Sequence, residues 1–306
     1  SAKEAILAHG GAVNSNVFTR ITLALFKQIP WRAVPVTRIE VMFAPKWFPI
    51  HINKVSYWTR TVMVPLLILT AQKPAGQNPR GVNIDELFHK PPYRENYKLT
   101  NPTGKWIGSL MLALDRFFRP FEPLIPNLIT QKSIALGLKF MEDRSNNEDG
   151  LGGIFPAIAN SLMVFDCLGY KKDDPRVAPA RKAINNLVVI KEDEAYCQPC
   201  LSPVWDTGLS AHAILEAHIE KTDLLDQSFE WLKKLQILDQ VGDWAHRRKN
   251  LKPGGWAFQY RNDFYPDVDD TAVVAMALHR QDPKKNAESI KRAEEWIIGM
   301  QSSNGG

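Results

Sequence analysis

Apolar residues recur every three or four positions along most of the chain, which is the spacing that lines one face of an α-helix. The segments with this pattern are residues 16–29, 106–118, 131–143, 159–169, 208–218, 228–238, 271–280 and 289–301. No convincing series of alternating apolar and polar residues predicts a set of β-strands. We therefore predict an all-α protein.

Segments that contain proline and glycine separate the predicted helices. The longest, residues 73–102, predicts an irregular excursion, and a second break falls near residues 191–203. Both ends look cut, because the chain begins without methionine in a helix-like segment, residues 1–11, and stops at Gly305 and Gly306, where a turn should lead onward. We expect the sequence to be a fragment of a longer protein.

A repeat is visible in the second half of the chain. Trp231 and Gln236 recur as Trp296 and Gln301, 65 residues later, and each helix that ends in glutamine is followed by a glycine-containing turn. A degenerate copy has Glu142 in the glutamine position. The pattern predicts a glutamine side chain that ties a helix end to the next turn. Repeated helix pairs favour an α-solenoid or a closed α/α barrel.

Composition and charge narrow the possible functions. A chain of 306 residues with 44% hydrophobic and 23% charged residues is typical of one or two globular domains. The net charge of +5 is scattered, with one short run at Arg247-Arg248-Lys249, so no basic stripe predicts a nucleic-acid surface. Three cysteines argue against a disulfide framework. Cys197 and Cys200 have redox or zinc spacing, but no second pair accompanies them, which favours simple loop cysteines.

Two apolar stretches bear on membrane contact. Residues 61–71 are too short to cross a bilayer, which needs about 20 residues, and Pro65 interrupts them. Upstream, residues 42–52 carry Trp47 and Phe48. Together the two stretches predict either a surface that dips into one leaflet or a buried helix behind a loop.

Three carboxylates crowd together where an apolar helix begins. Asp267, Asp269 and Asp270 occupy three of four positions, and the helix is expected to start near Asp270. One aspartate is explained as a cap that accepts unpaired backbone N–H groups at the positive end of the helix dipole. Three repel one another, so that one tends to stay protonated. The cluster is therefore a surface cap, a Mg²⁺ or Ca²⁺ site, or a neutral, hydrogen-bonded acid.

Aromatic residues surround this cluster in the sequence and favour the acid. The nearby rings are those of Trp205, Trp256, Phe258, Tyr260, Phe264 and Tyr265. A metal–phosphate site would instead need basic residues and glycine-rich anion cradles. Aromatic faces stabilise cations without acting as bases. The set predicts an acid that acts on an apolar substrate which becomes a cation, and this chemistry requires no metal and no cofactor.

The same residues carry a resemblance to a known family. The motifs DVDDTA, SPVWDTG, KPGGWAFQ and GMQSSNGG, with the glutamine–tryptophan repeats, resemble those of bacterial squalene-hopene cyclases, in a proteobacterial variant. The resemblance covers essentially the whole chain. It implies a class II triterpene cyclase, an isomerase or lyase that protonates squalene and guides its cyclisation to hopene, with hopanol as a side product.

The resemblance also implies a role for each aspartate. Asp269 matches the proton donor, and Asp267 and Asp270 match the partners that hold its proton and share the resulting charge. In the family a histidine further along the chain raises the acidity of the donor. Its position lies beyond Gly306.

Further site residues are implied by the same resemblance, and most of them are aromatic or apolar. They are Trp205, Phe258, Gln259, Trp58, Ile154, Phe155 and Phe18 around the substrate, and Val55 and Met63 at its entrance. Trp205 matches a ring that positions substrate or stabilises an early cation, and Phe258 one that faces an intermediate cation. Phe155 stands where some members carry a polar glutamine, so this chain has an apolar ring at that position.

The family fold is two α/α barrel domains, an α/α toroid architecture with the active cavity between them. Residues 1–201 would belong to the smaller inserted α-barrel and residues 202–306 to the first part of the (α/α)6 barrel. Family members are homodimers on one membrane face, which implies a monotopic protein on the cytoplasmic face of the bacterial inner membrane.

Three other functions stay open at this point. One is a different class II cyclase, acting on a tetraprenyl or other polyprenyl chain, a diterpenoid precursor or an oxidised squalene. The second, a protein prenyltransferase β subunit, needs a zinc-binding set of Asp, Cys and His that we do not find in the sequence. The last is a non-catalytic helical repeat with an exposed aspartate cluster. Enclosure of Asp269 in a large apolar cavity would favour the cyclases.

Overall fold

The protein is helical, as the apolar periodicity predicts. A computed structural model describes residues 1–36, 38–48, 51–99, 101, 104–217 and 223–306. Of the chain, 57% is helix and 5% is strand, which confirms the all-α prediction. Two compact units are present, Ser1–Phe43 with Leu66–Gly137 and Ala44–Pro65 with Leu138–Gly306. These units divide the chain differently from the predicted boundary at residues 201–202, which stays a prediction.

The α-helices and strands have the following bounds. The helices are α1 Ala2–Ala8, α2 Val17–Leu25, α3 Tyr57–Gln72, α4 Trp106–Phe118, α5 Asn127–Arg144, α6 Phe155–Cys167, α7 Val177–Leu187, α8 Pro203–Glu216, α9 Asp223–Lys234, α10 Val268–Gln281 and α11 Ala287–Met300. Two small antiparallel hairpins pair β1 Ser145–Asn146 with β2 Gly150–Leu151, and β3 Val188–Ile190 with β4 Ala195–Cys197.

Each of the eight predicted segments overlaps one of these helices. The predicted end of the fifth segment, His218, lies outside the described residues, as do residues 49, 50, 100 and 102 of other predicted segments. Helix α7 has no predicted counterpart, because the stripe it buries consists largely of small side chains such as Ala180 and Ala183.

Pro65 does not interrupt helix α3. Proline removes a helical hydrogen bond and normally kinks or breaks a helix, yet α3 runs through it from Tyr57 to Gln72. Val64, Ile68 and Leu69 beside it are fully buried. Packing of these apolar neighbours offsets the lost bond. No helix among the described residues combines the length and apolarity that a bilayer crossing requires.

Helices α8 to α11 share one apolar core in the second compact unit. Its buried members are Val204, Ala211, Leu225, Phe229, Leu232, Trp256, Val274, Ala277, Leu278 and Ala293. Gly208 lets α8 approach α10 closely, because a Cβ there would lie 2.9 Å from Cγ1 of Val273. This core fixes the beginning of α10, where the aspartates are.

The glutamine of the first repeat ties a helix end to the next turn, as predicted. Buried Gln236 follows α9 and donates from Nε2 to the carbonyl oxygens of Gly254, at 2.8 Å, and Ser289, at 2.9 Å. Gln301 makes the local version of this bond, to the Gly305 carbonyl at 3.0 Å. Trp296 is fully buried and packs edge-on against Trp244, with ring centroids 6.1 Å apart.

Gln236→Ala is expected to lower the free energy of unfolding by about 1–3 kcal/mol, because it leaves buried carbonyl groups without a donor. Chemical denaturation of the two proteins measures the difference. Gln227→Ala is the matched control, because Gln227 lies exposed on the same stretch of chain, in α9. Equal losses of unfolding free energy in both variants would show that the hydrogen bonds of Gln236 do not stabilise the fold.

Candidate active site

The aspartate cluster forms the N-terminus of α10. Asp267 is the N-cap residue, and its Oδ1 accepts a hydrogen bond from the backbone N–H of Asp270 at 2.9 Å. The hydroxyl of Thr271 donates to the Asp267 carbonyl at 2.6 Å. A carboxylate at this position is stabilised by unpaired N–H groups and by the helix dipole. The cap prediction is confirmed for Asp267, and the helix starts two residues earlier than expected.

The tryptophan-containing segment before the motif holds this helix end in place. Asp267 N–H donates to the Trp256 carbonyl at 3.1 Å, and Trp256 N–H donates to the Thr271 hydroxyl at 3.0 Å. The buried indole of Trp256 donates to the Leu232 carbonyl at 2.6 Å. Gly255 permits the close approach, because a Cβ there would lie 2.7 Å from Oγ1 of Thr271. The motif is thus anchored to the α8–α11 core.

Asp270, and not Asp269, is the buried acid of the motif. Only 2% of Asp270 is exposed, and burial, together with a hydrogen bond to Asp267 and the charges of the other two aspartates, raises its pKa to about 9. Burial also raises the pKa of Asp267. Asp270 is therefore the neutral, proton-holding partner and Asp267 the acceptor. Burial contributes more to the raised pKa of Asp270 than the crowding of carboxylates on which the sequence prediction rests.

Asp269 is exposed in the structure. The described residues alone do not enclose Asp269 in an apolar cavity. This part of the protein therefore lacks the feature that would favour a cyclase over a helical repeat. No group of three or more His, Cys, Asp or Glu side chains among the described residues is arranged to hold a metal ion.

Two of the predicted aromatic residues come together beside the motif segment. Trp205, in the first turn of α8, and Phe258 have ring centroids 6.5 Å apart and planes inclined by 37°. Gln259 is buried, and its Oε1 accepts from Asn262 at 3.1 Å, while its Nε2 has no hydrogen-bond partner among the described residues. Gly153 lies against it, at φ +65°, and a Cβ there would approach Cγ of Gln259 to 2.5 Å.

The CQPC segment connects two predicted site residues to α8. Phe155 N–H donates to the Pro199 carbonyl at 2.8 Å, and Ile154 pairs with Cys200 in an antiparallel bridge. Cys197 and Cys200 are free thiols. The segment thus contributes backbone pairing that brings the start of α6 to the chain just before Trp205.

Trp58 reaches the motif through residues that the sequence did not single out as a group. Its ring lies 5.6 Å from that of Tyr265, two residues before Asp267. The Tyr265 hydroxyl donates to Oδ2 of buried Asp243 at 3.2 Å. Burial and the charge of Asp243 raise the pKa of Tyr265, so the phenol keeps its proton and acts as a donor. In the sequence, the residue that could have indicated this network is Asp243, which lies between Gly242 and Trp244 of the repeat.

Arg144, at the end of α5, completes this network. It donates from Nε and Nη2 to the two carboxylate oxygens of Asp243, and its guanidinium lies over the ring of Phe140, 3.8 Å from the centroid. The guanidinium of Arg60 approaches the same carboxylate at 3.7 Å. The Asp243 carboxyl group is therefore held between two guanidinium groups and a phenol.

The other predicted site residues are more scattered. Val55 and Met63 are half-buried, and 40% of Phe155 is exposed. Phe18 lies on α2 in the first compact unit, with 56% of its surface exposed. The roles of these four residues stay predictions, as do those of the other predicted site residues.

Comparison with known proteins identifies the family. The family model of the squalene-hopene cyclase N-terminal domain matches residues 1–193, and that of the C-terminal domain matches residues 201–306. The chain belongs to the squalene-hopene cyclase family. Both the expected family and the α/α toroid fold class are thereby confirmed.

Several squalene-hopene cyclases are similar to this family member over its whole length. The protein from Zymomonas mobilis is 50% identical over 319 residues, that from Schizosaccharomyces japonicus 49% over 314, and that from Bradyrhizobium diazoefficiens 49% over 311. The aligned region is 100% of this chain but only 47–48% of each relative. The chain thus spans about half the length of the curated relatives it matches.

The raised pKa of Asp270 predicts a pH-dependent stability. Between its ordinary value near 3.8 and about 9, the folded state holds a proton that the unfolded state has lost. The free energy of unfolding therefore falls as pH rises through this range, by up to about 1.4 kcal/mol per pH unit. Asp270→Asn removes this loss, because the amide stays neutral at every pH.

Melting temperatures across this pH range measure the effect. The Asp270→Asn variant is expected to gain on the unsubstituted protein steadily as pH rises. Asp239→Asn is the matched control, because Asp239 is an exposed carboxylate outside the motif, and its difference from the unsubstituted protein should not grow in this way. A pH-independent difference for Asp270→Asn would show that Asp270 is ionised in the folded protein.

Proposed function

We propose that the whole protein is a squalene-hopene cyclase, an intramolecular transferase that converts squalene to hopene with hopanol as a side product. One observation carries the proposal: half-buried Asp267 and buried Asp270 form a proton-sharing pair at the N-terminus of a helix, anchored to the segment that bears Trp256 and Phe258. Relatives about 50% identical over this whole chain carry the name squalene-hopene cyclase.

In the proposed reaction Asp269 is the acid. Its proton moves to a carbon of the terminal double bond, the π electrons form the new C–H bond, and a tertiary carbocation remains beside the Asp269 carboxylate. An ordinary aspartic acid, with a pKa of about 3.9, is far too weak for this step in water. A protonated Asp270 helps, because it adds no negative charge next to the carboxylate that forms. The positive end of α10 stabilises that carboxylate as well.

The aromatic residues would act on the cations that follow. The faces of Trp205 and Phe258 stabilise positive charge without removing a proton, and Trp58 would do the same deeper in the cavity. Ile154 would form an apolar wall where the last ring closes. Loss of a proton from the final cation yields hopene, and addition of water yields hopanol.

We further propose a peripheral protein on one membrane face. The support is helix α4 and the segment after it, where large apolar side chains face outward: Trp106, Leu110, Phe117, Phe121 and Leu124 are all exposed, Trp106 by 73%. Such a surface buries favourably in the outer part of a leaflet. The resemblance to the family supports two further proposals. The protein is a homodimer at the cytoplasmic face of the bacterial inner membrane, and its domain boundary lies at residues 201–202.

Asp269→Asn in the whole protein is expected to abolish squalene cyclisation, by at least a thousandfold, since an amide cannot supply the proton. Product analysis by gas chromatography after incubation with squalene in detergent measures it. Asp239→Asn is the matched control, because Asp239 is an exposed carboxylate outside the motif, and full activity is expected. Activity of Asp269→Asn within a few-fold of the unsubstituted protein would remove Asp269 from its proposed role.

A further inference from the structure

A cavity of about 530 Å³ lies in the second compact unit, away from the aspartate motif. Its described walls come from Lys46, Asn53 and Lys54, from residues 241–243 and 245–247 with Lys249, and from Arg144 and Phe264. The basic run noted in the sequence, at residues 247–249, contributes two of its cations. The proposed reaction does not use this cavity.

Positive charge converges on the cavity without balancing carboxylates. Lys46, Lys54, Arg247 and Lys249 line it, and Asp243 is the only carboxylate among its described lining residues. Asp243 is already neutralised by Arg144. None of the four other cations has an ion-pair partner among the described residues. Cations that converge on one space without counter-charges form an anion site.

His246, in the cavity wall, also lies close to positively charged side chains. His246 lies 3.2 Å from the side chain of Asn53, and its pKa is lowered by burial and by the positive charges of Arg60, Arg144 and Lys46, against the charge of Asp243. Asn53 and neutral His246 supply hydrogen-bonding groups beside the cations. The wall thus combines positive charge with polar groups.

We propose that this cavity binds a phosphate-bearing ligand. Phosphate is the anion that best matches several converging Lys and Arg side chains, because it carries up to two negative charges and accepts hydrogen bonds on three or four oxygens. The cavity is also far larger than one phosphate group, which favours an organic phosphate. The ligand class rests on the geometry of this cavity and not on the proposed cyclisation.

An exposed aromatic tip beside the cavity favours a phospholipid headgroup as the source of the phosphate. Trp47 is 77% exposed and packs edge-on against Phe48, with ring centroids 6.0 Å apart. The ammonium of Lys54, which lines the cavity, donates to the Trp47 carbonyl at 3.3 Å. Tryptophan is enriched at membrane–water interfaces, at the level of the headgroups. A soluble phosphate ester is the other source of the same chemistry.

The test uses the full-length protein and the double variant Arg247→Gln/Lys249→Gln. Both side chains are exposed, so their replacement leaves the core intact. Lys171→Gln/Lys172→Gln is the matched control, since it removes the same charge from an exposed pair outside the cavity. Glycerol 3-phosphate is titrated calorimetrically, and sedimentation compares vesicles of pure phosphatidylcholine with vesicles that contain phosphatidylglycerol.

The double variant is expected to bind glycerol 3-phosphate and phosphatidylglycerol vesicles about tenfold more weakly or worse, with binding to pure phosphatidylcholine and squalene turnover in detergent unchanged. A loss confined to glycerol 3-phosphate would support the site with a soluble ester as its ligand. Equal losses in both double variants, or no loss for either probe, would overturn the proposal. Failed squalene turnover by the unsubstituted protein would count against the cyclase function alone.

Discussion

The crowding of three carboxylates at one helix end is the constraint on which the rest of the site depends. Asp267 and Asp270 cannot both be ionised and buried at low cost, so they share a proton, and burial raises the pKa of both. The sharing requires a fixed geometry. Thr271 and the backbone of Trp256 supply it, because both form hydrogen bonds with Asp267. Gly255 leaves room for the Thr271 hydroxyl, and Gln236 fixes the turn at Gly254.

The second buried carboxyl group, that of Asp243, is accommodated in a different way. Instead of holding a proton, it is compensated by Arg144, Arg60 and the hydroxyl of Tyr265. A buried ion pair contributes little net stability but is costly to break, since the remaining charge is left uncompensated. The ion pair therefore acts mainly by fixing the positions of the residues around it. Tyr265 lies between this ion pair and the motif, so the network orients the chain that enters α10 and the ring of Trp58 that packs on Tyr265.

Local patterns predict the helices and the cap well, because both depend on residues within a few positions of one another. The helix over residues 106–118 is found with the predicted ends, and Asp267 caps α10 as its residue type predicts. Pairings across long separations could not be read in this way. Arg144 and Asp243 are 99 residues apart, and nothing in either local sequence indicates the other. The distinction between Asp269 and Asp270 is likewise three-dimensional, since adjacent helical residues point in different directions and burial selects one.

Exposure of Asp269 sets a physical condition on the proposed function. An acid in contact with water gives its proton to water, which is a far better base than an alkene. A cation formed there would also be captured by water before a ring could close. Cyclisation therefore requires that other parts of the whole protein cover Asp269 with apolar surface, and this chain spans about half the length of its relatives. The described residues supply the helix end, the proton-sharing pair and the first aromatic faces, and the dry environment in which they could act as an acid has to come from outside them.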